Sequence, residues 1–93
     1  MQKRKMQDPQ KLAPLSAVRL LNISGIEASF VLYPQEDQTI ISARSIGEAN
    51  VQVILEALGG GGNAATAGAQ VKNRSVSGAL DDLTRSIDKF FEP

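Results

Sequence analysis

Four consecutive glycines, residues 59–62, constrain this chain more than any other feature of its sequence. Glycine loses more backbone entropy on folding than any other residue, so a run of four is costly to order. A plain connection needs one or two. A longer run suits a place where bare backbone approaches a ligand and presents N–H groups with no Cβ in the way. Such concave backbone amides take anions, phosphate above all. A flexible linker has the same composition, and the glycines alone leave that reading open. The run is not a Walker A loop, because no Lys-Ser/Thr pair follows it. Nor is it a dinucleotide-binding fingerprint, because it follows a predicted helix and not a first strand.

Around the glycines the hydrophobic pattern is readable. Val51, Ile54, Leu55 and Leu58 fall at i, i+3, i+4 and i+7 and predict a helix over 48–58. Gly59 then supplies its left-handed cap. Residues 26–33 alternate, with Ile26, Ala28, Phe30 and Leu32 on one face. Residues 39–45 form a second strand. Ile41 and Ala43 face one way along it; Ile40, Ser42 and Arg44 face the other. The short polar turn between the two strands predicts an antiparallel hairpin. Leu15, Val18 and Leu21, with Pro14 in the first turn, predict a helix over 12–22. Residues 69–72 suit a third short strand. Val76, Leu80, Leu83, Ile87 and Phe90 predict a helix over 76–91 that Ser75 caps. The expected fold class is α/β: a small mixed sheet with a β-hairpin and flanking helices, in the order α-β-β-α-β-α. Residues 1–11 are expected to form a flexible arm or lead-in, and residues 12–93 a single domain.

Composition narrows the chemistry. Ninety-three residues allow one small domain. Ten Lys+Arg balance ten Asp+Glu, so no strong net field draws the chain to nucleic acid or a membrane. The chain has no Cys and no His. That excludes disulfides, thiolate zinc sites, Ser-His-Asp triads and imidazole metal sites. No apolar run is long enough for a membrane span, and no targeting signal is visible. These features predict a soluble, cytoplasmic domain. Five of the ten bases lie within residues 1–19, where Asp8 is the single acid. Such a basic start suits a solvated lead-in.

Within residues 20–71 the only cation is Arg44. A guanidinium there can offer a planar fork to phosphate or carboxylate. Ser42 shares its predicted strand face, and Ser45 closes the strand. The competing reading pairs Arg44 with Glu48 or Glu27 at the surface, a contact worth roughly 0–1 kcal/mol. Asn50 suits an ordinary early-helix position. Asp37, Asp81, Asp82 and Asp88 are scattered and read as solvated surface. Of the four aromatics, Phe30, Phe90 and Phe91 read as core, and Tyr33 does not.

Taken together, Ser42-Ala43-Arg44-Ser45, then Asn50-Val51-Gln52-Val53-Ile54, then Leu58 followed by the glycines, resemble a known family. The pattern is similar to the DHH-associated domain of DHH-type phosphoesterases. It is closest to that of the membrane-anchored cyclic di-AMP phosphodiesterases of bacteria, including the run Glu-Ala-Ser-Phe-Val at residues 27–31. The resemblance covers about residues 12–92. It implies that this chain is the C-terminal, substrate-binding domain of a larger protein. An N-terminal DHH domain of the same chain would hold two Mn²⁺ ions on Asp and His ligands, with no cofactor on this part. The parent would hydrolyse a phosphodiester, opening cyclic di-AMP, while this part alone would not be an enzyme. Ser42, Arg44 and Ser45 would lie toward the phosphate or nucleotide. Gly60, Gly61 and Gly62 would offer backbone amides.

The family usually has His directly after the glycines, where this chain has Asn63, also a candidate ligand contact. The competing use of Asn63 is to cap a turn. The implied partners are a cyclic dinucleotide or short oligonucleotide, the DHH domain, and a second copy in a homodimer. The parent would be membrane-anchored with its catalytic part in the cytoplasm. A non-catalytic nucleotide- or single-strand-binding module is the alternative, and it predicts stacking aromatics near the glycines.

Overall fold

A computed structural model describes residues 17–25 and 27–91. The elements run β1 (Arg19–Ile23), β2 (Ala28–Gln35), β3 (Gln38–Ser45), α1 (Val51–Glu56), β4 (Gly61–Gly62), β5 (Thr66–Lys72) and α2 (Val76–Phe90). The five strands form one sheet in the order β1-β2-β3-β5-β4, with every neighbouring pair antiparallel. The chain leaves β3, crosses through α1, and returns on β4. The intervening place is filled by β5, which folds back from β4. Two strands linked by a helix therefore run parallel without touching.

The α/β class holds, and so does the hairpin. Tyr33 pairs with Ile40 and Phe30 with Ala43 across β2 and β3. Alternation along these strands sets the core. Phe30, Leu32 and Ile41 are fully buried, and Ala28, Ala43, Ala67 and Ala69 nearly so. They pack against Val51, Ile54 and Leu55 of α1 and Ala79, Leu83 and Ile87 of α2 in one cluster. Both helices thus cover the same face of the sheet. Ser86 Oγ donates to the Ile54 carbonyl at 2.6 Å and ties α2 to α1. Ser75 caps α2 as expected, its Oγ accepting from Gly78 N–H. Asn50, expected as an ordinary early-helix residue, instead caps α1, its Oδ1 accepting from Gln52 and Val53 N–H, so the helix starts at Val51 and not at residue 48.

Two expectations are corrected. The sheet has no adjacent parallel pair, so its pairing is not mixed. The expected first helix over 12–22 is not the element that forms: residues 19–23 are a strand, and the order is β-β-β-α-β-β-α. Leu21 fits a period of two with Ile23 as well as the helical spacing from Leu15 and Val18, and a short apolar run cannot decide between them. The edge of β2 decides, because β1 pairs its N–H and C=O groups from Leu32 back to Ala28. Residues 12–16 of that expected helix, the expected arm over 1–11, and Ile26 lie outside the described residues. No helix among the described residues is long and apolar enough to cross a membrane.

Candidate phosphate-facing site on the open sheet face

The face of the sheet opposite the helices carries the other half of each strand's alternation. Register aligns Asn22, Ser29, Arg44 and Thr66 in one line across four strands. The next line is Leu20, Val31, Ser42, Gly68 and Gly61. Ser42 and Arg44 are exposed on this face, two residues apart along β3. The strand that carries Gly61 lies two inter-strand spacings away, about 10 Å. A hollow of about 590 Å³ joins Ser42 to Gly59, Gly60, Gly61, Gln70 and Lys72. Arg44 borders a second hollow of about 340 Å³ on its other side.

Arg44 makes no ion pair with Glu27 or Glu48; the ion pairs among the described residues are Arg74–Asp82 and Arg85–Asp82. The surface-pair reading of Arg44 is therefore not what forms. The contrast with Arg74 is direct. Arg74 clasps Asp82 through Nε and Nη2 at 3.0 and 2.9 Å and also donates to the Gly78 carbonyl. Its hydrogen bond holds the Asp82 carboxyl below the usual carboxylate range, with help from the charge of Arg74 and from Arg85. Arg44 is left with its donors turned to solvent.

The glycine run is no linker. The Gly60 N–H donates to the Leu55 carbonyl and the Gly59 N–H to Glu56, the paired bonds of a Schellman cap. Gly59 sits at φ 84°, the left-handed cap expected of it. At Gly60 a Cβ would run into the Gly68 carbonyl oxygen and lie 2.7 Å from the Ala69 Cβ. Gly62 has φ 144° and would place a Cβ 2.6 Å from the Ala67 Cα. Each of these three is required by the fold itself. Gly61 is different: a Cβ there would meet nothing within 4 Å. Of the four, only Gly61 is bare for no reason the fold supplies. The Gly60 amide is already spent on α1, and Gly61 pairs with Gly68 as Gly62 does with Ala67. The Asn63 N–H bond to the Thr66 carbonyl sets the alternation that turns the Gly62 backbone to the outer edge.

Other candidates fall elsewhere. Ser45 points to the covered side, is nearly buried, and its Oγ is 3.4 Å from both the N and O of Gly47. It is not brought together with Ser42 and Arg44. Asn63 spends its Oδ1 on the N–H groups of Ala65 and Thr66, both at 2.9 Å, while its own N–H donates to the Thr66 carbonyl. That side chain closes the β4–β5 turn. The same turn is pinned to the covered side by Ser45 N–H to the Ala65 carbonyl and Val51 N–H to the Ala64 carbonyl.

Phe91 is half exposed, and so is not the core residue expected; Phe90 stacks edge-on against it at 5.1 Å. Tyr33 lies on the open face, in line with Ile40 and Gln70. Sequence reasoning missed Ser29 and Thr66, the neighbours of Arg44. Strand register alone brings them beside it, and no local motif marks them. No group of three His, Cys, Asp or Glu among the described residues converges to hold a metal.

Comparison with known proteins gives this geometry its context. The DHHA1 domain family matches residues 8–92. Cyclic-di-AMP phosphodiesterase GdpP of Bacillus subtilis is 49% identical over 84 residues, covering 89% of this chain and 13% of that protein. Cyclic-di-AMP phosphodiesterase PdeA of Listeria monocytogenes is 42% identical over 82 residues, covering 87% of the chain and 12% of the relative. A membrane protein–large ribosomal subunit bL9 fusion protein of Aster yellows witches'-broom phytoplasma is 35% identical over 77 residues, 82% of this chain and 9% of that protein. The chain spans about an eighth of the length of the first of these relatives.

Proposed function

Because the chain belongs to the DHHA1 domain family, we propose that it is the substrate-binding domain of a DHH-family phosphodiesterase. The observation that carries the reading is Arg44. It is the only cation in residues 20–71, and it stands without an ion pair on the open sheet face, one line from Ser42 and Gly61. A phosphate-bearing ligand would take the Arg44 fork, a hydroxyl from Ser42 or Thr66, the bare surface of Gly61 and the outward backbone of Gly62. Ser45 and Asn63 would act behind this face, by holding the β4–β5 turn against β3.

The substrate by this reading is a cyclic dinucleotide, as the names of the two phosphodiesterase relatives indicate for those proteins. An N-terminal DHH domain of the same chain would close over it. The described residues carry no donor set that fits Mn²⁺, so the two metal ions would sit wholly on that domain. What this domain supplies is orientation and charge neutralisation of the phosphate. We place it on the cytoplasmic side, in keeping with the absence of Cys.

The test uses the domain joined to its DHH partner. Arg44→Lys keeps the charge and loses the fork. Its expected effect is a loss of cyclic di-AMP affinity of about 1–3 kcal/mol, the worth of a hydrogen bond to a charged group. Unchanged affinity would remove Arg44 from the site. The chain alone is expected to give no turnover with Mn²⁺, and turnover that persists through purification would contradict the division of labour.

A further inference from the structure

We propose that strand β1 is a self-association edge: a second copy of this chain lays its own β1 antiparallel against it and joins the two sheets into one. The proposal does not depend on what the open face binds.

The direction of each backbone group follows from the ladder. The Ser45 N–H donates to the Ala65 carbonyl, so the Ser45 backbone faces β5 and that of Arg44 faces β2. In an antiparallel sheet the N–H and C=O of one residue point to the same side, and successive residues alternate. Ser29, opposite Arg44, therefore bonds toward β3, while Ala28, Phe30 and Leu32 bond toward β1. Their partners Ile23, Leu21 and Arg19 turn their backbone inward. Leu20 and Asn22 turn their N–H and C=O groups outward, at the free edge of the sheet.

The two edges of the sheet are unlike. At the far edge β4 is two residues long, and the Gly60 amide beside it is bonded to α1. At the near edge β1 runs five residues in unbroken register, with no proline and no bulge. Natural sheets guard such an edge with charge, proline, a bulge or brevity. Leu20 and Asn22 carry no charge, and Leu20 is 71% exposed. Leu21 and Ile23 pack on the core yet stay only partly buried.

The outward row is complementary to itself. A two-fold axis at Leu21 sets Leu20 against the second copy's Asn22, and Asn22 against its Leu20. Every outward N–H and C=O of these residues then finds a partner. The same axis brings Leu21 against the second copy's Leu21 as a close, non-hydrogen-bonded pair. An axis at Leu20 would call on Val18, which lies outside the strand. The charges of the chain cancel, ten against ten, so two copies carry no net repulsion. The axis stands perpendicular to the sheet, which leaves both open faces on one side. The two Arg44 positions are then five strand spacings apart, about 24 Å. A five-residue strand pair falls short of the roughly 1,200–2,000 Å² of a stable interface, so the association is weak.

The experiment is sedimentation velocity of the 93-residue chain between about 20 µM and about 1 mM, with amide-resolved NMR over the same dilution. A dimer is expected to accumulate toward the upper concentration. As it forms, the Leu20 and Asn22 amides should shift and slow in hydrogen exchange, while those of Leu21 and Ile23, already in the ladder, stay. Asn22→Pro removes an outward donor and no bond to β2, and Leu20→Lys puts a charge on the edge. Each should weaken the association on the order of tenfold. The chain has no cysteine, so Leu21→Cys supplies a single thiol. It should oxidise to a covalent dimer several times faster than Ile23→Cys.

A monomer at every concentration would overturn the proposal. So would a dimer that leaves the Leu20 and Asn22 amides unmoved, or edge variants that associate as tightly as the parent chain. Leu20 and Asn22 amides protected equally at every concentration would also overturn it, because residues of the same copy would then cover the edge. Equal oxidation of the two cysteine variants would overturn the register centred on Leu21.

Discussion

The two faces of this sheet are built from the same strands by alternate residues, and they differ in almost everything else. One face holds Ala28, Phe30, Leu32, Ile41, Ala43, Ala67 and Ala69, closed over by both helices. The other holds Ser29, Ser42, Arg44, Thr66 and Gly68, and no helix covers it. Half-buried strands commonly place apolar residues inward and polar residues outward. Here the outward set is more than generic polarity. It gathers the one cation of a long stretch, two hydroxyls beside it and a bare edge strand. Stability sits on the first face and the proposed recognition site on the second, so each should be breakable without the other.

The largest effect belongs to the covered face. Phe30→Ala is expected to cost about 3–5 kcal/mol in urea unfolding, since the ring is fully buried against both helices. A loss below 1 kcal/mol would mean that the cluster is not the core. Next comes the contact between the glycine run and β5. Gly60→Ala should cost about 1–3 kcal/mol, because its Cβ meets Gly68 backbone and not a flexible side-chain end. Gly61→Ala sharpens the point. It should change stability by no more than about 0.5 kcal/mol, since nothing lies near its Cβ. It should still weaken a phosphate ligand of the joined protein; a stable variant with full affinity would free Gly61 from any ligand role.

The smallest effect tests the paired arginine against the unpaired one. Arg74 depresses the Asp82 carboxyl in the folded chain. A depressed acid stabilises the fold above its ordinary pKa, and that contribution disappears as pH falls through the lowered folded value. Asp82→Asn should therefore lower the unfolding midpoint slightly at pH 7. Its gap from the parent chain should close as pH drops below the usual carboxylate range. A gap that stayed constant with pH would separate the pair from the fold's acid sensitivity.

Much of this was legible in sequence. The period-two pattern of residues 28–32 and 41–43 marked the covered face, and the helical spacing from Val51 marked α1. The cap roles of Gly59 and Ser75 were also readable, because they are local chemistry. Strand β1 was not, since Leu21 fits both the helical spacing from Val18 and the alternation with Ile23, and only the free edge of β2 chooses between them. Nor was β5 as the neighbour of β3, a place created by the crossover through α1. The candidate site divides the same way. Ser42 and Arg44 share a face by spacing alone. Thr66 and Ser29 join them only through register, and Ser45, one residue on, turns to the opposite side. The turn-closing role of Asn63 was readable as an alternative and becomes definite in the two N–H groups its Oδ1 accepts.

The central claim is that the unpaired arginine on the open face, and not the paired arginines on α2 and before it, receives phosphate. A phosphorus-ligand titration of the chain with side-chain guanidinium NMR tests this directly. Inorganic phosphate is expected to shift the Arg44 Nε resonance, with the Ser42, Gly61 and Thr66 amides following at the same midpoint. Arg74 and Arg85, already bonded to Asp82, should stay still. Shifts confined to Arg74 and Arg85, with Arg44 unmoved, would contradict the account.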